Sequence, residues 1–503
     1  LGRLFELRSY HWTSCNQKIV LMNLSDSSKE SRFYNEDFAP IPLEKRTWNS
    51  WNYASIWIGM AVCVPTYMLA SSMIQEGMSW WQAVFTILLG NVIVLVPLIL
   101  NGFPGAKYGI PFPVLIRSSF GMQGSILAGL LRGLVGCGWF GIQSWIGGNA
   151  IYQLLLVIIP DLANSLFLGD FIGLNIAQLT CFFIFWGINI WIIHKGIETV
   201  RIFESWSAPV LLIAGLGLMV WAISSAGSFS QILAQTSSFH PEPGSTFSSI
   251  FWPSLTAIVG FWATLSLNIP DFTRYAINQK SHYLGQALGL PATMTLFSFI
   301  GIFVTSATIL IFGEAIWDPI ILLSKFDSAV VIILSMLLLS IATLSTNIAA
   351  NVVASANDIA NIAPRKISFK MGGYITGVIG ILIFPWKLLA DPSGFIFLWL
   401  IAYSALLGAI AGIMICDFFV VRKRKLDVEA LYNPDSYLPN WNKSAWIAFC
   451  LSIIPVLPGF FIQLGLVNVE TVGSFWNDLY SYAWFITFGI AFIVYRVLSK
   501  KTT

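Results

Sequence analysis

Apolar runs long enough to cross a hydrocarbon core recur twelve times along this 503-residue chain, and that recurrence limits the fold more than any single motif. A bilayer core about 30 Å thick needs about 20 residues of helix. The runs extend over 50–73, 79–103, 122–158, 171–194, 207–226, 247–269, 284–312, 329–357, 371–388, 394–416, 445–466 and 480–497. Backbone groups in hydrocarbon must find partners inside the protein, so only helices and closed barrels can span. Runs of this length fit helices, because a barrel strand needs only about 9–11 residues. The predicted class is therefore an all-α polytopic membrane protein with about 12 transmembrane helices, the third and eighth strongly tilted. Composition agrees: only 10% of residues are charged, against about 25% in soluble domains.

The basic residues orient the chain. Twenty-four Lys and Arg fall on one set of flanks, only Lys325 and Lys387 on the other, and Arg132 inside a run. By the positive-inside rule both termini are cytoplasmic, in a cell (inner) membrane. Residues 1–46 are polar and lack an apolar signal-peptide core, and read as a cytoplasmic N-terminal segment. Residues 47–416 form a ten-helix core, 417–444 a basic cytoplasmic loop opening on Arg422 to Lys425, and 445–503 two further helices. That basic cluster reads as an orientation and headgroup anchor. Six cysteines without a CxxC pair suggest neither a disulfide framework nor a zinc site. The dispersed basic residues give no sign of nucleic-acid binding.

Two runs are interrupted. The first reads Ile58 to Pro65 with Gly59 inside it, and the sixth carries Gly260-Phe261-Trp262 before Asn268-Ile269-Pro270. Such breaks free backbone groups, which discontinuous helices use to hold substrates and ions. An ordinary proline kink is the plainer reading. The breaks lie five runs apart, so the sixth run enters from the side opposite to the first. That is the spacing of a 5+5 inverted repeat.

Chemistry concentrates in the third and eighth runs. Trp139 and Gln143 are four residues apart, which stacks them on one helical face. Gly136 and Gly138 clear space beside them, so a flat, hydrogen-bonding molecule can approach; helix packing explains the same pattern. In the eighth run, Ser345 and Thr346 lie three and four residues past Ala342, placing neutral oxygens that suit a monovalent cation. Hydroxyls that back-bond to their own helix are the alternative. Asn347 and Asn351 form a second pair, roughly 100–140° round the helix from the hydroxyls. Arg132 is expected to snorkel or to pair with an acid such as Asp271, and Asp358 and Asp417 to cap or pair near span ends. No hydrolase triad, zinc helix or phosphate loop appears in the sequence.

From Pro42 to Arg424 the stretches 42–49, 65–70, 107–114, 138–143, 268–274, 345–347 and 385–388 resemble, in order, the nucleobase–cation symporter-1 family. The resemblance implies a leucine-transporter-like fold, with ten core helices in two inverted halves, broken helices 1 and 6, and two added helices. Members import nucleobases, hydantoins, allantoin and related vitamins with sodium or protons. Carried over by position, Trp139 stacks on the substrate ring, Gln143 bonds its amide edge, Trp262 faces its other side and Asn351 completes the polar contacts. The sodium site of the family's hydantoin carrier matches Gly59, Val62, Ala342, Ser345 and Thr346. Cys63 stands where that carrier has Gln and Phe261 where it has Gly. These departures disfavour bulky aryl hydantoins and favour a small base or ureide. Cys63, Phe261 and Asn347 complete the candidate substrate set.

The combined reading is a secondary active transporter, not an enzyme, importing a planar nitrogen heterocycle such as uracil, allantoin or a hydantoin. Na⁺ is the expected coupling ion, and the lipid bilayer the surroundings. No organic cofactor and no obligate protein partner are expected. Alternatives are a proton-coupled cytosine or purine permease, a channel, or a membrane-embedded enzyme.

Overall fold

The computed structural model describes residues 24–195, 197–236, 246–392 and 394–499, so most of the predicted N-terminal segment lies outside the described residues. Among the described residues the chain is helical, with two isolated bridges, Trp48 to Ala276 and Phe167 to Asn175. Each helix takes the ordinal of the apolar run it fills. Among the described residues, eight are long and apolar enough to cross a membrane: the second (Trp80–Tyr108), third (Gly124–Ile158), fourth (Ile176–Lys195), fifth (Pro209–Ala226), seventh (Gln279–Phe312), eighth (Ala329–Ala360), tenth (Gly394–Val421) and eleventh (Lys443–Gln463). The first and twelfth are bent pairs, Ser50–Ala61 with Val64–Gln75 at 61° and Ser474–Tyr480 with Ala483–Leu498 at 80°. Shorter apolar helices, Phe247–Phe261 and Phe369–Leu382, fill the sixth and ninth runs.

Burial sorts these helices. In the third, seventh and tenth, 72%, 67% and 78% of the apolar window is buried, against 17% in the fifth, so the first three form the middle of the molecule. The third helix reaches the middle because its glycines admit neighbours. A Cβ on Gly136 would overlap the Ser355 hydroxyl, one on Gly138 the Trp399 ring, and one on Gly141 the Gly380 carbonyl. Small residues let helices approach closely where lipid offers no hydrophobic drive. The clearance expected at Gly136 and Gly138 is therefore filled by the eighth and tenth helices. Helix packing accounts for these two glycines.

The first helix breaks between Ala61 and Val64. Val62 has φ −82° and ψ 81°, and Cys63 is extended at φ −146° and ψ 161°. Pro65 follows at the start of the second half, where its missing N–H is harmless. The Cys63 N–H, which an unbroken helix would donate to Gly59, goes to the Ala61 carbonyl at 3.1 Å, and the Thr66 N–H goes to Cys63 at 3.1 Å instead of Val62. The carbonyls of Gly59 and Val62 are thereby released from the helical pattern. In the sixth helix, Trp262 (φ −100°, ψ 4°) separates Phe247–Phe261 from Ala263–Asn268 and turns its own N–H back to Gly260.

Residues 24–46 lie across the basic end of the helices. Leu24, Phe33 and Phe38 are buried there. Tyr432 donates to the Phe38 carbonyl at 2.6 Å, Arg274 to Asp37 at 2.8 Å, and the Ile41 N–H to Gly109 at 2.9 Å. Arg117 is wholly buried, donating to the Leu431 carbonyl and the Asn361 side chain at 3.0 Å each. Burial pushes its pKa down to about 10, which leaves it cationic at neutral pH.

The glycine contacts make a stability prediction. Gly141→Ala meets a backbone carbonyl that cannot swing aside, and should lower stability by about 1–3 kcal/mol. Gly129→Ala meets nothing within 4 Å and should be neutral. Thermal unfolding in detergent compares the two, and equal midpoints would contradict the packing described.

Candidate substrate site

Where the two broken helices meet the third and eighth, a small cavity of about 30 Å³ is lined by Met60, Cys63, Trp139, Gln143, Phe261, Trp262, Thr264, Leu265, Thr346, Ala350 and Asn351. It brings together six of the seven substrate-site candidates, together with Thr346 of the cation set. Met60, Thr264, Leu265 and Ala350 were not anticipated. Thr264 had a signal, lying two residues past the break at Trp262; the other three look like ordinary core residues.

Trp139 is held on its edges. Its ring centroid lies 5.1 Å from Phe261, 5.9 Å from Trp399, 6.2 Å from Phe395 and 6.4 Å from Tyr403, all edge-on at 73–88°. The indole N–H donates to the Tyr403 hydroxyl at 3.2 Å. These contacts from the sixth and tenth helices fix the plane of the ring. Trp262 packs edge-on against Trp57 at 5.1 Å.

Two polar atoms in this wall are buried and unpartnered among the described residues, Gln143 Oε1 and Trp262 Nε1. Each such atom costs about 1–3 kcal/mol when unpaired. The cavity thus offers one acceptor and one donor between aromatic rings. Cys63 Sγ lies 3.3 Å from the Thr66 hydroxyl, closing one side with a weakly polar group.

Asn351 joins the wall through a local change of helix. Residues Asn347–Val352 form a π-helical turn, so residues five apart come to lie above one another. Thr346 and Asn351 therefore both line the cavity, although straight α-helical spacing separates the hydroxyl and amide faces widely. Asn347 does not line it. Its Nδ2 donates to the Phe140 carbonyl, the Ser144 hydroxyl and Asn189 Oδ1 at 3.2–3.3 Å, and its Oδ1 accepts from Asn351 at 2.9 Å. Asn347 thus orients Asn351 and ties the eighth helix to the third and fourth.

Two of the cation candidates, Val62 on the first helix and Ala342 on the eighth, share one cluster. Both are fully buried in that apolar cluster. Ser345 Oγ is buried without a partner. Thr346 Oγ1 donates to the Ala342 carbonyl at 3.1 Å, the back-bond that was the alternative reading.

On the basic side of the cavity, Arg132 Nη1 pairs with Asp358 Oδ2 at 3.0 Å, both side chains 1% exposed. Arg132 Nη2 donates to Asn268 Oδ1 at 3.2 Å, Asn268 donates to Asp271 at 3.3 Å, and the Phe112 N–H donates to Asp271 at 2.8 Å. The pairing with Asp271 expected from sequence is thus indirect; Asp358 is the direct partner, because Gly133 lets its Cβ come close to the third helix. Burial pushes the Asp271 carboxyl above the usual carboxylate range, opposed by Arg274 and the Phe112 N–H. Asp417 pairs with Arg422 at 2.7 Å, and His194 bonds the Tyr374 hydroxyl at 2.7 Å, so neither faces the cavity. A larger apolar pocket of about 780 Å³, between the first, fifth, seventh and eighth helices, contains none of the candidate residues.

The sequence profile of a family described as permeases for cytosine/purines, uracil, thiamine and allantoin matches residues 40–487. A purine-uracil permease of Arabidopsis thaliana is 41% identical over 481 residues, covering 95% of this chain and 79% of that one. An allantoin permease of Bacillus subtilis is 40% identical over 484 residues, covering 95% and 96%. Among solved structures, the inward-facing conformation of Mhp1 superposes with TM-score 0.75 at 23% identity, covering 92% and 93%. A closed conformation of the same transporter with bromovinylhydantoin bound gives TM-score 0.72 at 24% identity. These structures show that the folds are alike.

The buried ion pair makes a second stability prediction. Arg132→Leu and Asp358→Leu should each cost about 3–5 kcal/mol, since each strands the other charge, while the double variant should recover much of the loss. Thermal unfolding of all three reads this; additive losses would mean that the pair is not coupled.

Proposed function

We propose a substrate class and a driving ion for this chain, which belongs to the family of permeases for cytosine/purines, uracil, thiamine and allantoin. It is a symporter that imports a small planar heterocycle with adjacent N–H and C=O groups, such as uracil or allantoin, and is driven by Na⁺. The observation that carries this reading is the pair of orphaned atoms, Gln143 Oε1 and Trp262 Nε1, between aromatic walls. A cyclic amide presents a donor to the first and an acceptor to the second while its face lies on Trp139. Asn351, oriented by Asn347, adds a further amide contact. Phe261 narrows the site and Cys63 leaves one side weakly polar, which favours a small ring over an aryl hydantoin. The relatives named for purine-uracil and allantoin transport support the same class.

For the ion, five neutral oxygens are candidates: the carbonyls of Gly59, Val62 and Ala342 and the hydroxyls of Ser345 and Thr346. Support comes from the carbonyls released at the break and from the unpartnered Ser345 hydroxyl. Residues 47–416 act as an inverted-repeat core of ten helices within about twelve, with breaks five runs apart, and one bundle rocks about the midplane site. Both termini are cytoplasmic by the distribution of basic residues. A proton-coupled cytosine or purine permease is the second reading, favoured by the buried carboxyl of Asp358, paired with Arg132.

Trp139→Ala and Gln143→Ala should each weaken heterocycle binding by about 1–3 kcal/mol, from loss of a stack or a buried hydrogen bond. Calorimetry of purified protein with uracil and allantoin measures this, and parental affinity in both variants would reduce these residues to helix packing.

Vesicles with separately imposed Na⁺ and pH gradients test the ion. Uptake should require Na⁺. Ser345→Ala and Thr346→Ala should each raise the Na⁺ needed for half-maximal uptake about tenfold, or about 1.4 kcal/mol. Substrate affinity should recover at saturating Na⁺, because coupling between sites is reciprocal. Uptake that ignores replacement of Na⁺ by K⁺ and follows the pH gradient would establish the proton reading instead.

A further inference from the structure

The tenth helix ends in a turn that side chains with a Cβ adopt reluctantly. Lys423 and Arg424 both have positive φ, 50° and 65°, and non-glycine residues rarely occupy this region in succession. The turn is held by a set of specific bonds. The Arg424 carbonyl accepts from Lys107 Nζ at 2.8 Å and from the Tyr108 hydroxyl at 3.1 Å. The Tyr108 oxygen in turn accepts the Leu426 N–H at 3.0 Å. Backbone bonds from Arg424 to Phe418 and from Lys425 to Arg422 close the turn at 2.8 and 3.0 Å.

These bonds hold Lys107 Nζ and the Arg424 backbone together, with both side chains exposed. The Arg424 guanidinium lies over Phe419 at 5.3 Å and over Phe103 at 6.0 Å, with no carboxylate partner among the described residues. Lys107 Nζ lies beside it on the Arg424 carbonyl, 5.1 Å from the Tyr108 ring, and keeps two further N–H donors. Of the acids of the same loop, Asp417 is engaged with Arg422 at 2.7 Å, Asp427 with the Ala430 N–H at 3.2 Å and Glu429 with the Ser28 hydroxyl at 2.5 Å. Lys423 and Lys425 are exposed next to this pair. Immediately toward the helix lie half-buried Phe103 and Phe419 and exposed Val420.

We infer that this corner binds the headgroup of an anionic phospholipid from the leaflet on the basic side. The phosphodiester sits between Lys107 and Arg424, where a planar guanidinium matches phosphate oxygens. Lys423 and Lys425 add long-range attraction, and the acyl chains lie on Val420 and the two phenylalanines. Ordinary flanking lysines orient a span while remaining mobile; here Lys107 is bonded to the turn and the Arg424 guanidinium rests on two aromatic rings. The apolar surface directly beside them selects a lipid over a soluble phosphate.

Native mass spectrometry of the full chain, delipidated and titrated with phosphatidylglycerol or phosphatidylcholine, tests this. The parent should retain phosphatidylglycerol at least tenfold more tightly than the Lys107→Gln/Arg424→Gln variant, and phosphatidylcholine should bind both alike. If that variant does not fold, Lys423→Gln/Lys425→Gln, which removes only exposed charge, should still weaken phosphatidylglycerol about threefold. Equal phosphatidylglycerol retention by parent and variants would overturn the assignment. So would full displacement of the lipid by millimolar inorganic phosphate, which would mark a soluble-anion site.

Discussion

Every backbone N–H and C=O within hydrocarbon must be satisfied by the protein, and this structure depends on where that rule is relaxed. Helices satisfy it over nearly the whole chain. At Val62–Cys63 and at Trp262 the pattern is interrupted deep inside the molecule, and the carbonyls of Gly59 and Val62 lose their usual partners. Both breaks lie inside the packed molecule, the first helix lying against the seventh and the sixth against the second and tenth. The glycines of the third helix draw the eighth, ninth and tenth helices onto it, by letting Ser355, the Gly380 backbone and Trp399 come to contact. The cavity forms where the two breaks, aromatic rings and neutral amides converge.

The third helix carries both the uncharged and the charged parts of this arrangement. Arg132, Gly136, Trp139 and Gln143 recur at four- and three-residue spacing and so share a face. Toward the cavity the polar groups are neutral, in keeping with an uncharged ring. Toward the basic side the same face ends in the buried Arg132–Asp358 pair, which also grips Asn268 of the sixth helix. An ion pair excluded from water stays together only when both charges are present and further hydrogen bonds help. Movement of the sixth helix relative to the third must therefore break the Arg132–Asn268 bond. Local opening at this point is tied to the segment that also forms the cavity wall.

Much of this was legible from residue types and spacing. Apolar length predicted the helices, Gly and Pro inside two runs predicted the breaks, and a four-residue interval put Trp139 and Gln143 on one face. What stayed hidden depends on partners distant in sequence. A glycine announces that something comes close without saying what, and at positions 136 and 138 the visitor is Ser355 or Trp399. Arg132 could reach several acids, and only the packing of the third helix on the eighth selects Asp358. The π turn at Asn347–Val352 has no simple periodic signature, yet it rotates Asn351 into the wall alongside Thr346. Asn347 looked equivalent to Asn351 for the same reason. The role of Tyr403 in holding Trp139 was likewise unreadable, since a tyrosine in an apolar run is unremarkable until its partner is known.

The most direct test of the site is an experimental structure of the protein purified with saturating uracil or allantoin. The heterocycle should lie with its face on Trp139 and its amide edge within hydrogen-bond reach of Gln143 and Asn351, the cavity having expanded around it. A ring found instead in the larger apolar pocket beside Trp221 and Phe326 would contradict the assignment of the substrate site.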